Sequence, residues 1–137
     1  MTLRAIPLCL AGGLLMLAAE GAFSAPATAA AAKSSIAAMK GDPVAGGRLY
    51  QACVGCHSLD ENEVGPKHRG VVGRRAGSVP GYVYSPALKS SGIVWTSQTI
   101  DRWLTNPQKL VPSAKMYFSV ARPQDRADII AYLALQR

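Results

Sequence analysis

Cysteine and histidine are scarce in this 137-residue chain: three of the first, Cys9, Cys53 and Cys56, and two of the second, His57 and His68. So few soft and imidazole ligands exclude an extended zinc framework, which needs four ligands per ion. Acidic residues are also few, eight against 15 Lys+Arg, giving a formal charge of +7. That balance favours acidic partners of some kind without naming one. No apolar run reaches the roughly 18 residues that a membrane-spanning helix requires. No segment of four or more residues alternates convincingly as a strand, which excludes a sheet protein. Charged residues make up only 17% of the chain, and aromatic and β-branched residues are present, which excludes wholesale disorder.

The apolar content is unevenly placed. Twenty-six of the first 40 residues are apolar, 13 of them alanine. Arg4 precedes an uncharged apolar stretch from Ala5 to Ala19, and small residues follow at Ala22-Phe23-Ser24 and Ala25-Pro26-Ala27. Residues 1–24 therefore read as an export signal; retention as an anchor is the alternative, disfavoured by Glu20 and the Gly12-Gly13 pair. Cys9 falls inside the apolar stretch as a small apolar residue. Residues 25–40 are Ala-rich, carry Pro and Ser and show no helical stripe, so they read as a linker. The single folded domain is 41–137.

Within that domain the two cysteines stand as C-V-G-C-H, Cys53 to His57. A dithiol oxidoreductase would set such a pair between a strand and a helix, and no strand pattern precedes it. A zinc site would need two further ligands, and only His68 remains. Covalent haem attachment needs what is present: two thiols to form thioethers with the vinyl groups, and an adjacent imidazole to reach the iron. Attachment outside the cytoplasm agrees with an export signal. An electron-transfer haem needs a second axial ligand that excludes water. Met, His and Lys could serve; of the methionines, Met1, Met16 and Met39 fall in the signal and linker, so Met116 is the candidate within the domain, in a Pro-punctuated stretch read as an ordered loop between Pro107 and Phe118.

Local signals give an all-α domain. Asp42-Pro43 caps and opens a helix running to about Ala52, with Val44, Leu49 and Ala52 expected inward and Gly46 permitting close approach. Ser85-Pro86 opens a short helix closed by Gly92. After Thr96, Ile100, Trp103 and Leu104 follow helical spacing up to Pro107. Pro123 starts a last helix whose apolar face is Ile129, Ile130, Tyr132 and Leu133. Tyr82, Val94, Leu104, Tyr117 and Phe118 are the expected haem walls.

From Gly41 to Arg137 these motifs resemble the class I c-type cytochromes, the short mitochondrial-like bacterial kind. The resemblance is carried by G-D-P-V-A-G-G-R-L-Y, Gly65-Pro66, G-V-V-G-R-R-A-G-S-V-P-G-Y-V-Y-S from Gly70, W-L-T-N-P, P-S-A-K-M-Y-F and R-A-D-I-I-A-Y-L. It implies the cytochrome c fold, several short helices and loops around one covalent haem c on Cys53 and Cys56, with His57 and Met116 as axial ligands. It further implies that the Pro66 carbonyl orients His57 and that Arg74, Tyr84 and Trp95 hold a haem propionate. Phe118 would cover the haem edge. Trp103 stands where the family often has Tyr, which predicts a missing hydroxyl beside Met116. Ser113 and Ala114 replace the family's Gly and Thr, which predicts strain and a lost hydroxyl in the Met loop. The resemblance places His68 on the His57 side, as a partly exposed loop residue.

The implied function is one-electron transfer, without enzymatic turnover. Partners would be the acidic docking faces of a quinol–cytochrome c reductase, an oxidase or a photosynthetic reaction centre, met by Lys67, Arg102, Lys109 and Lys115. The chain is expected to be a periplasmic monomer that touches a membrane only through a retained N-terminus and binds no nucleic acid. Alternatives are a haem enzyme or gas sensor with a labile Met116, and an electron-accepting subunit of a periplasmic dehydrogenase.

Overall fold

The computed structural model describes residues 39–137. The export signal assigned to 1–24 and nearly all of the linker assigned to 25–40 lie outside the described residues.

The domain is all-α, with helices α1 (Pro43–Leu49), α2 (Pro86–Lys89), α3 (Ser97–Thr105), α4 (Pro107–Leu110) and α5 (Pro123–Leu135). A turn of 3₁₀-helix, Tyr50–Ala52, extends α1. The only sheet-like pairing among the described residues is one antiparallel bridge, Arg75 to Val94. Each start has a local cause. The Asp42 carboxylate accepts from the Val44 and Ala45 amides, and Pro43 occupies the first turn, where its missing N–H costs nothing. The Ser85 hydroxyl caps α2, and Thr96 and Thr99 cap α3 reciprocally. Asn106 caps α4, a single turn inside the stretch read from sequence as loop. Pro107 ends α3 and begins α4 because proline cannot donate to the preceding turn.

The first and last helices cross closely. A Cβ on Gly41 or Gly46 would strike the α5 backbone at Ala127 or Asp128, so only glycine allows this approach. The Asp128 carboxylate accepts from the Asp42 amide at 2.8 Å and from Gln124 at 2.7 Å. One expectation fails here. Val44 is 67% exposed, while Gly46 and Tyr50 are the buried positions of this segment and Ala52 faces a cavity. The contact is made of backbone and glycine, and bulky apolar residues have no room in it.

A buried ion pair ties α3 to α5. Arg126 Nε donates to Asp101 Oδ1 at 2.7 Å, and its Nη1 donates to the Val120 and Ala121 carbonyls at 2.9 Å each. Both side chains are almost fully buried. Removing one partner of such a pair typically costs about 3–5 kcal/mol, so the pair fixes the α3–α5 packing even if it adds little net stability.

The core has two parts. Tyr50, Val71, Ile100, Leu104, Ile129, Ile130 and Leu133 form the larger; Ala76, Leu88, Val111 and Ala114 form the smaller. Of the larger cluster, all but Ile130 also face a cavity of about 290 Å³. The core is thus built around that cavity.

Candidate functional site

The cavity gathers the chemistry-bearing residues of the sequence. The 3₁₀ turn ends at Cys53, where the chain coils through Cys56 to His57, with the amides of Cys56 and His57 donating to the Cys53 carbonyl at 3.1 and 2.9 Å. This tight loop sets both thiols and the imidazole on the cavity wall. The two thiols are not joined; Cys53 is half-buried and Cys56 exposed. Among the described residues no three His, Cys, Asp or Glu side chains cluster as a metal site would require.

His57 is oriented by backbone. Its Nδ1 lies 2.8 Å from the Pro66 carbonyl oxygen, which fixes Nδ1 as the protonated nitrogen and leaves the Nε2 lone pair free. Burial pushes its pKa down, so the ring is neutral, the state a metal ligand needs. Gly65 makes room for it, because a Cβ there would overlap the imidazole.

Met116 also lines the cavity. The indole Nε1–H of Trp103 donates to its sulfur, 3.1 Å away. The hydroxyl expected to be missing at position 103 is therefore replaced by another donor, and the thioether is not left without one. Ser113 does adopt positive φ, +67°, the conformation that glycine takes without cost.

Arg74, Tyr84 and Trp95 line the same cavity. Arg74 Nη1 and Nη2 donate to the Arg69 and Lys67 carbonyls at 2.9 and 2.6 Å, which holds the guanidinium in place. Burial lowers the pKa of Arg74 and raises that of Tyr84, and each senses the other's charge. A cation and a phenol kept partly dry are suited to a carboxylate, which would restore the charge balance. Phe118 is half-exposed and Tyr117 is 76% exposed at the cavity mouth.

One placement differs from the expectations. Val94 is not among the cavity residues and is 43% exposed, its backbone bridged to Arg75. His68 is a partly exposed loop residue on the His57 side, as the resemblance implies. Its ring stacks on that of His57 at 4.0 Å between centroids, and its Nδ1 meets the Tyr50 hydroxyl at 3.0 Å. Burial beside His57 and Arg74 pushes its pKa down to about 3, so it is neutral at ordinary pH. Gln108 was not singled out from sequence. Its amide bonds three residues of the Met116 segment, contacts between side chain and backbone that no periodicity announces.

The family model described as cytochrome c matches residues 43–136. The chain belongs to the cytochrome c family. It is 46% identical over 107 residues to cytochrome c2 of Rhodomicrobium vannielii, covering 75% of this chain and 86% of that one. It is 50% identical over 97 residues to cytochrome c2 of Rhodopila globiformis, covering 68% and 92%. Among solved structures, cytochrome cH from Methylobacterium extorquens superposes with a TM-score of 0.67 at 43% identity, covering 69% of this chain and 98% of that one. Ferricytochrome c2 of Rhodopseudomonas palustris gives 0.66 at 36%, covering 70% and 99%. The cytochrome c fold and one covalent haem c follow from this membership, with Cys53 and Cys56 in the attachment motif. The chain is a cytochrome c2-like electron carrier. Among the described residues no helix is long and apolar enough to cross a membrane.

Proposed function

We propose that this cytochrome is a periplasmic one-electron shuttle in which His57 and Met116 are the axial ligands of the haem iron and Cys53 and Cys56 its thioether anchors. The observation that carries the reading is the pairing of preparations within one cavity. His57 has Nδ1 committed to Pro66 and Nε2 free, and Met116 has its sulfur held by Trp103. Haem c bound there supplies the ferric/ferrous couple. The chain's residues do the rest. Leu88, Ile100, Leu104, Ile129 and Leu133 keep the iron's surroundings apolar, which disfavours the extra charge of the ferric state. Arg74, Tyr84 and Trp95 receive a propionate. With both axial positions filled by protein, no site is left for a substrate, and the protein is a carrier and not an enzyme.

Partner contact is assigned to the mouth. Val64, Tyr117 and Phe118 expose apolar surface there, and Lys115 adds charge, its ammonium donating to the Val83 carbonyl. Lys109 and Arg102 are exposed, and Lys67 is half-buried. These cations suit the acidic docking faces of a quinol–cytochrome c reductase, an oxidase or a reaction centre. The segments 1–24 and 25–40 would serve as export signal and linker ahead of the domain.

The deciding experiment is a ferric absorption spectrum of the holoprotein with a Met116→Ala comparison. A weak long-wavelength band, present in the wild type and lost in the variant, is the expected mark of sulfur–iron ligation. A wild type that lacks the band and binds carbon monoxide rapidly when reduced would replace this reading with an open-site haem protein. Oxidation by an acidic partner should slow as salt rises; a salt-independent rate would remove the electrostatic part.

A further inference from the structure

The Met116 segment is anchored in the smaller core by Val111 and Ala114 but has little regular structure to hold its shape beyond them. No strand ladder supports it, Ser113 sits at φ +67°, and a one-turn helix, α4, is its only regular structure. Yet the backbone around Met116 is tied down at three successive points by one side chain. Gln108, the second residue of α4, donates through Nε2 to the Ala114 carbonyl at 2.7 Å and to the Met116 carbonyl at 2.8 Å. Its Oε1 accepts from the Ser113 amide at 3.2 Å. Both amide protons and the amide oxygen are used within a single loop.

Position 108 itself is fixed from the other side. Asn106 caps α4 by accepting from the Lys109 amide at 2.9 Å, and Pro107 is fully buried. The strap is therefore anchored in the core and reaches outward to the loop. Meanwhile Trp103 holds the Met116 sulfur from α3, so the same residue is gripped at backbone and at side chain by different elements.

We propose that Gln108 is a positioning residue that sets the register of the Met116 loop, holding the sulfur within reach of the iron despite a serine at the left-handed turn. This rests on the reading of Met116 as axial ligand. Only a glutamine-length amide satisfies the geometry. Glutamate keeps the shape and the acceptor, but turns a carboxylate oxygen toward two carbonyl oxygens. Asparagine keeps the chemistry and falls one methylene short. Lysine donates and cannot accept from Ser113.

The test is a pH titration of the long-wavelength ferric band in the wild-type holoprotein, Gln108→Glu, Gln108→Asn and Met116→Ala. Ser90→Ala, which deletes a hydroxyl bonded to the Pro86 carbonyl in α2, is the comparison for an ordinary loss of stability. The expected result is that Gln108→Glu loses the band at a pH lower by about one unit or more, a tenfold weaker hold on sulfur. Gln108→Asn should shift in the same direction by less, and Ser90→Ala should not shift. A band whose midpoint is unmoved in both Gln108 variants, while Met116→Ala abolishes it, overturns the role of Gln108 and leaves the ligation intact. A loss of thermal stability without a midpoint shift overturns it equally. A band that survives Met116→Ala overturns the ligation itself, and the Gln108 role with it. If Gln108→Glu fails to take up haem, the asparagine variant carries the decision.

Discussion

The Trp103 indole nitrogen and the Met116 sulfur stand 3.1 Å apart, bridging α3 and the loop after α4. Unlike a phenol, an indole can only donate, so the sulfur accepts a hydrogen bond from a group with no competing acceptor role. With Met116 as the proposed axial ligand, this donation would draw electron density from sulfur and make it a poorer donor to ferric iron. Trp103→Phe removes the N–H and keeps a ring in place. A neutral hydrogen bond is worth about 0.5–1.5 kcal/mol, and sulfur acceptors lie at the low end. At about 59 mV per tenfold for one electron, the midpoint potential should fall by about 20 mV or somewhat more. A redox titration of the two holoproteins reads it directly; a raised potential would contradict the assignment.

Ser113 adopts φ +67° without being glycine. An L-residue there carries a steric cost of about 1–2 kcal/mol from its Cβ. Glycine relieves it but returns about 0.4–1 kcal/mol through the freer unfolded chain. Ser113→Gly retains the amide that Gln108 binds, so the net gain should be about 0.5–1 kcal/mol. For a domain of this size that is a rise in Tm of about 2–8 °C. Thermal unfolding of the holoprotein checks the sign; an unchanged or lower Tm would mean that the turn stores no strain.

Helix starts were legible in the sequence because capping is local. Asp42-Pro43, Ser85-Pro86, Thr96 and Pro123 each announce a helix within one or two residues. Faces were less legible. Helical spacing puts Val44 inward, but α1 is short, tightens into a 3₁₀ turn after Leu49 and packs through glycine, which leaves Val44 exposed. The attachment motif and Met116 stood out by chemistry and by elimination. The ring contact between His68 and His57 did not, because a loop histidine has no pattern to reveal one. Gln108 was silent for a similar reason: its partners are backbone groups five to eight residues ahead.

Tyr50 is 2% exposed and shares a hydrogen bond with His68. Burial pushes its pKa up to about 12 from 10.0. A phenol whose folded pKa is raised contributes stability that is fully present below the unfolded value and is lost as pH rises through the folded one. Stability should therefore decline between about pH 10 and about pH 12. Tyr50→Phe removes that decline and leaves His68 Nδ1 without its partner, at about 1–3 kcal/mol near neutrality. Denaturant midpoints of both proteins across that window test it; parallel curves would exclude Tyr50 as the alkaline group.

Haem and fold are linked through the shape of the core. Six members of the larger core cluster pack on one another across α3 and α5 and also face the cavity, so the cofactor completes their packing. A chain unable to attach haem would retain some 290 Å³ against those side chains. At about 24 cal/mol per Å³ of residual cavity, that is a penalty of about 7 kcal/mol, an upper bound because the mouth is open to water. Small domains have only about 5–15 kcal/mol in total. Removing both anchors, Cys53→Ala with Cys56→Ala, should therefore take most of the stability, and collapse of the cavity would itself disturb α3 and α5. The expected far-ultraviolet circular dichroism is that of a largely unfolded chain, with helix recovered in wild-type holoprotein. Native-like helicity and a cooperative melt in the double variant would show that the α1–α5 crossing and the Asp101–Arg126 pair hold the fold unaided.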